Sequence, residues 1–200
     1  MMKVLMEKEA EDFLEKKGFN VIKRGLASNL NQAKEIAKKI GYPVALKNAN
    51  LLHKSDKGGV KLNIFEQDIE NAFKELKSNK VLVQKYTQGK EILLGIKKDP
   101  TFGHVIVYGI GGIYTEILKD VSYKVVPLER KDALDMLNEI KFKGLLTARG
   151  SKINENLIIN NILKLSELAK KYKNITELDI NPLLVDDKSA VIADARIVME

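Results

Sequence analysis

Apolar residues recur three and four positions apart over Glu7–Lys17, where Ala10, Phe13 and Leu14 form one stripe of a helix that Gly18 ends. A second helical pattern runs from Leu30 to Ile40. Asn29 stands at its N-cap with Gln32 three residues on, the spacing of a capping box, and Gly41-Tyr42-Pro43 stops it. Short β-branched runs predict strands at Val44–Asn48, Val60–Phe65 and Val81–Tyr86, with a helix over Ile69–Lys77 before the last. The polar connection Thr87-Gln88-Gly89-Lys90 is a candidate hinge. Beyond it, strands are expected at Glu91–Ile96, Val105–Tyr108 and Tyr123–Val126, and helices near Lys131–Ile140 and Asn154–Tyr172. A hairpin of Thr176–Val185 and Ala190–Val198 closes the chain. Strands and helices do not alternate as in a doubly wound sheet, so the expected class is α+β, with an N-terminal lobe over 1–86 and a C-terminal lobe over 87–200.

Composition narrows the function classes. The 200 residues are 44% apolar and 30% charged, ordinary for a globular protein. No apolar run approaches the roughly 18 residues that a membrane helix needs. The N-terminus turns acidic and amphipathic too early for a signal peptide, so a cytoplasmic, non-membrane protein is expected. With no cysteine, a disulfide framework and a thiolate metal site are both excluded. The net charge of +7 raises a nucleic-acid reading, but lysine supplies nearly all of it, with only Arg24, Arg130, Arg149 and Arg196 as arginines. The lysines alternate with Glu and Asp along helical stretches, as a solvated face would. Nucleic acid is therefore not the expected partner; smaller anionic ligands, nucleotides included, suit such a surface.

The last hairpin carries the clearest chemistry. In Glu177-Leu178-Asp179-Ile180-Asn181, strand alternation puts Glu177, Asp179 and Asn181 on one face. A turn centred on Asp187-Lys188 sets Asn181 opposite Asp194 and Asp179 opposite Arg196. Asp194 follows the apolar run Val191-Ile192-Ala193, and with Asn181 it makes a pair of oxygen ligands suited to magnesium, which takes one or two protein oxygens and leaves the rest to water and phosphate. Asp179 reads instead as a cross-strand ion pair with Arg196.

Three other features are weaker alone. The loop Leu52-His53-Lys54-Ser55-Asp56-Lys57-Gly58-Gly59 joins two strands; its glycines would let backbone N–H groups approach an anion, or it is a plain turn. It lacks the Gly-Lys-Ser order of a Walker A motif. Lys47 lies in an apolar strand and either extends to solvent or meets a partner such as phosphate. The imidazole of His53 is a competent phosphoryl acceptor, although a loop histidine more often has no task. Gly109-Ile110-Gly111-Gly112 ends a strand, with Glu116 beyond; such a cluster borders a ligand cleft or makes a tight turn. His104 has no assigned role.

Taken together, "IAKKIGYPVALK", "LLHKSDKGGVKLN", "VLVQKYTQGKEILLGIKKDPTFGHVIVYGIGGIYTEILKDVSYKVVPL" and "ELDINPLLV…IADARI" resemble, in order and over nearly the whole chain, the nucleotide-binding β chain of ADP-forming acetyl-CoA synthetases. These are relatives of succinyl-CoA synthetase with the ATP-grasp fold, two lobes clamping a nucleotide. The resemblance implies the ligands ATP/ADP and Mg2+ and the reaction acyl-CoA + ADP + phosphate ⇌ acid + ATP + CoA. It implies that Lys47 contacts the nucleotide phosphates, that Gly58 and Gly59 belong to the phosphate loop, and that Gln84, Lys85 and Tyr86 receive adenine. It further implies that Glu91 holds the nucleotide, that Asn181 and Asp194 bind magnesium, and that His53 carries phosphate between subunits. A separate CoA-binding α subunit would complete the reaction, in an α2β2 or similar complex. Another ATP-grasp ligase or kinase subunit, or a non-catalytic ATP-binding module, is the competing reading.

Overall fold

The computed structural model describes residues 2–51, 58–112 and 119–200, apart from the side chain of Arg149. Two compact units emerge: Ile22–Gln88, and Met1–Val21 together with Gly89–Glu200. The division after Gln88 falls inside the connection read as a hinge, whereas residues 2–21 pack with the C-terminal segment. That grouping follows from strand β1 (Lys3–Leu5), which pairs antiparallel with the last strand, β11 (Ala195–Met199). Three residues are too few to show a period in the sequence, so β1 is visible only through its partner.

Unit Ile22–Gln88 is a four-stranded antiparallel sheet in the order β2-β5-β3-β4, made from β2 (Arg24–Ala27), β3 (Val44–Asn48), β4 (Val60–Ile64) and β5 (Val81–Lys85). Helices α2 (Leu30–Ile40) and α3 (Ile69–Glu75) cover one face. The Asn29 side chain accepts a hydrogen bond from the Gln32 N–H at 3.0 Å, so the expected cap forms, but Gln32 Oε1 reaches back to the Ser28 N–H instead of that of Asn29. Ala33, Ala37, Val44, Leu46, Ile69 and Val83 make the core beneath the helices. Strand β2, Arg-Gly-Leu-Ala, escaped the sequence reading because glycine and alanine are poor strand formers.

The other unit is built on a seven-stranded antiparallel sheet, β1-β11-β9-β6-β7-β8, with β10 (Ala190–Ile192) also paired to β9 (Ile175–Val185). Strands β6 (Lys90–Asp99), β7 (Gly103–Ile110) and β8 (Val121–Val125) form its other half. Helices α1 (Glu7–Lys16), α4 (Arg130–Glu139), the one-turn α5 (Gly144–Thr147) and α6 (Glu155–Lys171) accompany it. Period-two alternation decides the faces: Ile92, Leu94 and Ile96 of β6 and Leu178 and Ile180 of β9 point into the core that Leu14, Met136, Ile162 and Leu165 complete. The opposite face therefore carries Glu91, Asp179 and Asn181. His104, buried, bonds through Nε2 to the Ile175 carbonyl oxygen at 2.7 Å and is a structural residue. No described helix is long and apolar enough to cross a membrane.

Candidate nucleotide and metal site

In the Ile22–Gln88 unit the candidate residues Lys47 and Gln84 sit on the sheet face away from α2 and α3. Val44 and Leu46 point to the helices, so Ala45 and Lys47 point the other way. The register brings Gln84 beside Ala45, and Leu82 and Val60 beside Lys47. Lys47 is only 7% exposed and Gln84 1%. Of the two readings of Lys47, its burial favours the one in which it meets a partner over extension into solvent. At the end of β5, Lys85 Nζ donates to the carbonyl oxygens of Gly41 (3.0 Å) and Tyr42 (2.8 Å). The Tyr86 N–H donates to the Pro43 carbonyl at 3.1 Å. These bonds hold Gln84–Tyr86 in place, with Lys85 as a brace. Gly59 is buried and its carbonyl accepts from the Asn48 N–H at 2.8 Å, with exposed Gly58 next to it. His53 and Glu116 lie outside the described residues.

The second group of residues lies in the unit that contains β6, β7 and β9. The hairpin has the expected register: Asp179 pairs with Arg196 and Ile180 with Ala195. The next step outward is the Asn181 N–H donating to the Asp194 carbonyl at 3.2 Å. The two residues read as metal ligands are thus locked together by backbone. Asn181 Oδ1 in turn accepts from the Gly112 N–H at 3.0 Å. Gly111 donates its N–H to the Glu91 carbonyl at 2.8 Å. Gly112 adopts φ +65°, and a Cβ there would overlap the Glu91 carboxylate. One glycine pair therefore ties Glu91 on β6 to Asn181 on β9. The sequence showed both glycines as a cluster but held nothing that linked them to Asn181, 69 positions away.

Electrostatics concentrates on the same face. Burial raises the Glu91 carboxyl above the usual range. Asp179 is pushed up to about 6, chiefly by burial; Arg196 opposes this, while Asp194 and Glu177 add to it. The ion pair expected between Asp179 and Arg196 is not the one that forms. Arg196 Nη2 donates to Glu177 Oε1 at 2.6 Å, on the same face two residues along β9. The alternation that put Glu177 and Asp179 on one face was the available signal for this choice. Both members of that pair are about half exposed and the bond contributes little to stability.

This donor set fits magnesium. An amide oxygen on β9 and a carboxylate in the two-residue break between β10 and β11 are hard ligands, and the Glu91 and Asp179 carboxyls on the same sheet face add negative charge that a cation would offset. Among the described residues, no three His, Cys, Asp or Glu side chains gather as a metal site.

Residues 1–199 match the family model of the ATP-grasp domain. The acetate–CoA ligase [ADP-forming] I of Archaeoglobus fulgidus is 41% identical over 202 residues, covering 93% of this chain but 30% of that protein. The acetate–CoA ligase [ADP-forming] I subunit beta of Pyrococcus furiosus is 37% identical over 212 residues, covering 98% of this chain and 91% of the relative. The chain thus spans less than a third of one relative and nearly the whole of the other. Among solved structures, the dinucleotide forming acetyl-coenzyme A synthetase 1 of Ca. Korarchaeum cryptofilum, in complex with coenzyme A, Ca-AMPCP and HgCl+, superposes with a TM-score of 0.92 at 33% identity, covering 99% of this chain and 94% of that one. The same enzyme with coenzyme A and Mg-AMPPCP, its phosphohistidine segment pointing towards the nucleotide binding site, gives 0.85 at 34% identity, with 99% and 93% covered.

Proposed function

This chain belongs to the ATP-grasp family and is homologous to the β subunits of ADP-forming acetate–CoA ligases, and from that premise we propose that it is the nucleotide-binding subunit of an ADP-forming acyl-CoA synthetase. The observation that carries the proposal is the Gly112 bond to Asn181 Oδ1, which, with the Gly111 bond to the Glu91 carbonyl, ties Glu91 on β6 to the hairpin that pairs Asn181 with Asp194.

The step assigned to this chain is phosphoryl transfer between histidine and ADP. The N–P bond of the phosphohistidine, protonated on its other ring nitrogen, breaks, a P–O bond forms to a terminal oxygen of ADP, and the imidazole leaves neutral with that proton. Little covalent work falls to the protein in such a transfer; positioning and charge stabilisation dominate. Lys47 offsets charge on the phosphates from its buried position. Gly58 and Gly59 present backbone to them, Gln84 to Tyr86 receive the adenine, and Glu91 holds the nucleotide. Asn181 and Asp194 hold magnesium, which when bound neutralises phosphate charge and fixes phosphate geometry. His53 accepts the phosphoryl group from a CoA-binding α subunit, which forms the acyl phosphate from acyl-CoA and phosphate.

Incubation with γ-labelled Mg-ATP, with and without that subunit, is expected to place acid-labile label on this chain. The His53→Asn variant should lose it while still binding ATP. Nucleotide binding without any label, even with the partner present, removes the His53 step; no nucleotide binding removes the proposal. Size-exclusion chromatography with light scattering should give the mass of an α2β2 assembly for the mixed subunits. Two separate monomer peaks at micromolar concentration would remove the assembly.

A further inference from the structure

On the helix-covered side of the larger unit, opposite the face that carries Asn181, lies an open groove of about 950 Å3 between the end of α1, one face of α6 and the β9–β10 turn. Nothing in the proposed reaction uses it. Its rim carries Lys16, Lys17, Lys164, Lys171 and Lys188 against one carboxylate, Glu167. That carboxylate is already paired with Lys170 at 2.9 Å. Lys17 lies over the rings of Phe13 and Tyr172 (5.3 and 4.9 Å), and Lys164, over Phe19 (5.6 Å), donates Nζ to the Gly18 carbonyl at 2.8 Å, so two of the ammonium groups are held in place. A hydrogen bond from Lys17, and behind it the charges of Lys17 and Lys171, lower the Tyr172 phenol below its usual range. Lys16, Lys171 and Lys188 are exposed and carry no ion pair among the described residues.

The spacing of these charges indicates what they recognise. Asn160 and Asn161, Lys164, Glu167 and Lys171 recur every three or four positions on the groove-facing side of α6, while Ile158, Ile162, Leu165 and Ala169 face the core. Lys164 and Lys171 are seven residues apart, about 10 Å along the helix. Lys164 and Lys171, so separated, do not meet at one phosphate; together with the lysines at the end of α1 and in the β9–β10 turn they match a row of separated carboxylates. Between them Phe19, Leu157 and Leu168 offer apolar contact. We propose that this groove docks an acidic polypeptide segment of a partner protein. A second copy of this chain is a poor occupant, because each copy carries a net charge of +7.

The test is a titration of the 15N-labelled full chain, followed by amide NMR shifts, with a synthetic helical peptide that carries glutamates every three or four positions. Inorganic phosphate and a single-stranded RNA oligonucleotide are titrated in parallel. The peptide should shift amides of Lys16–Asn20, Asn160–Lys171 and Lys188–Ala190 and leave the Asn181 face unmoved. The triple variant Lys16→Glu, Lys171→Glu, Lys188→Glu should weaken the peptide about tenfold or more, whereas the equally charged control Lys39→Glu, Lys80→Glu, Lys152→Glu should stay within about twofold. The three groove lysines changed to Gln should fall between, which covers a reversal variant that fails to fold. Equal losses in groove and control variants would reduce the effect to net charge and overturn the proposal. So would shifts on this face from phosphate or RNA but not from the peptide, or shifts that depend only on protein concentration.

Discussion

Asp194→Ala is expected to lower the affinity for magnesium-nucleotide by about a hundredfold or more, since even residues that only support a metal ligand typically cost 10–100-fold when removed. The Asp194 backbone would not move, because its carbonyl accepts from the Asn181 N–H and Ile180 pairs with Ala195 beside it. The lost function should therefore come with a nearly unchanged melting temperature. The measurement is ATP binding by calorimetry over a series of magnesium concentrations, with Asp194→Asn in parallel. The asparagine variant keeps an oxygen ligand but loses the charge, so it should recover part of the affinity at high magnesium. Affinity equal to wild type at every magnesium concentration would take Asp194 out of the metal site.

Gly112→Ala is the second large effect, and its cause is steric. A left-handed conformation costs a residue with a Cβ about 1–2 kcal/mol, and at φ +65° this Cβ would also overlap the Glu91 carboxylate. Either the carboxylate or the turn must shift, and a shift of the turn breaks the Gly112 N–H bond to Asn181 Oδ1. A displacement of about 1 Å at a reacting site can lower the rate about a hundredfold. Gly103→Ala supplies the control: φ there is +76°, but nothing lies within 4 Å of the added methyl. Gly103→Ala should lose stability alone, while Gly112→Ala should lose stability, magnesium-nucleotide affinity and phosphoryl transfer together. If the two variants transferred phosphate equally well, the glycine pair would be a turn and no more.

Local signals account for most of the elements. Helix α2 begins and ends where its cap and Gly41-Tyr42-Pro43 put it, and β3 has the predicted limits, because those boundaries are set by residues within one turn of the chain. The hairpin register was legible for the same reason: β9 and its partners are joined by a short turn, and alternation leaves one way to bury Leu178, Ile180 and Ile192. The α+β class and the ATP-grasp family were likewise carried by the order of motifs along the chain.

What the sequence determined by itself is therefore the set of parts: the longer helices, the longer strands and the Asn181–Asp194 facing. Tertiary structure alone decided which parts meet. It joined β1 to β11 and put residues 2–21 with the C-terminal unit. It sent Arg196 to Glu177 and left Asp179 among carboxylates. It set Gly112 between Glu91 and Asn181, and gathered lysines from α1, α6 and the β9–β10 turn along one groove. The physical reason is range. Periodicity, capping and turn chemistry act over a few residues, whereas burial, Coulomb interaction and steric exclusion depend on distance in space between residues that the chain keeps far apart.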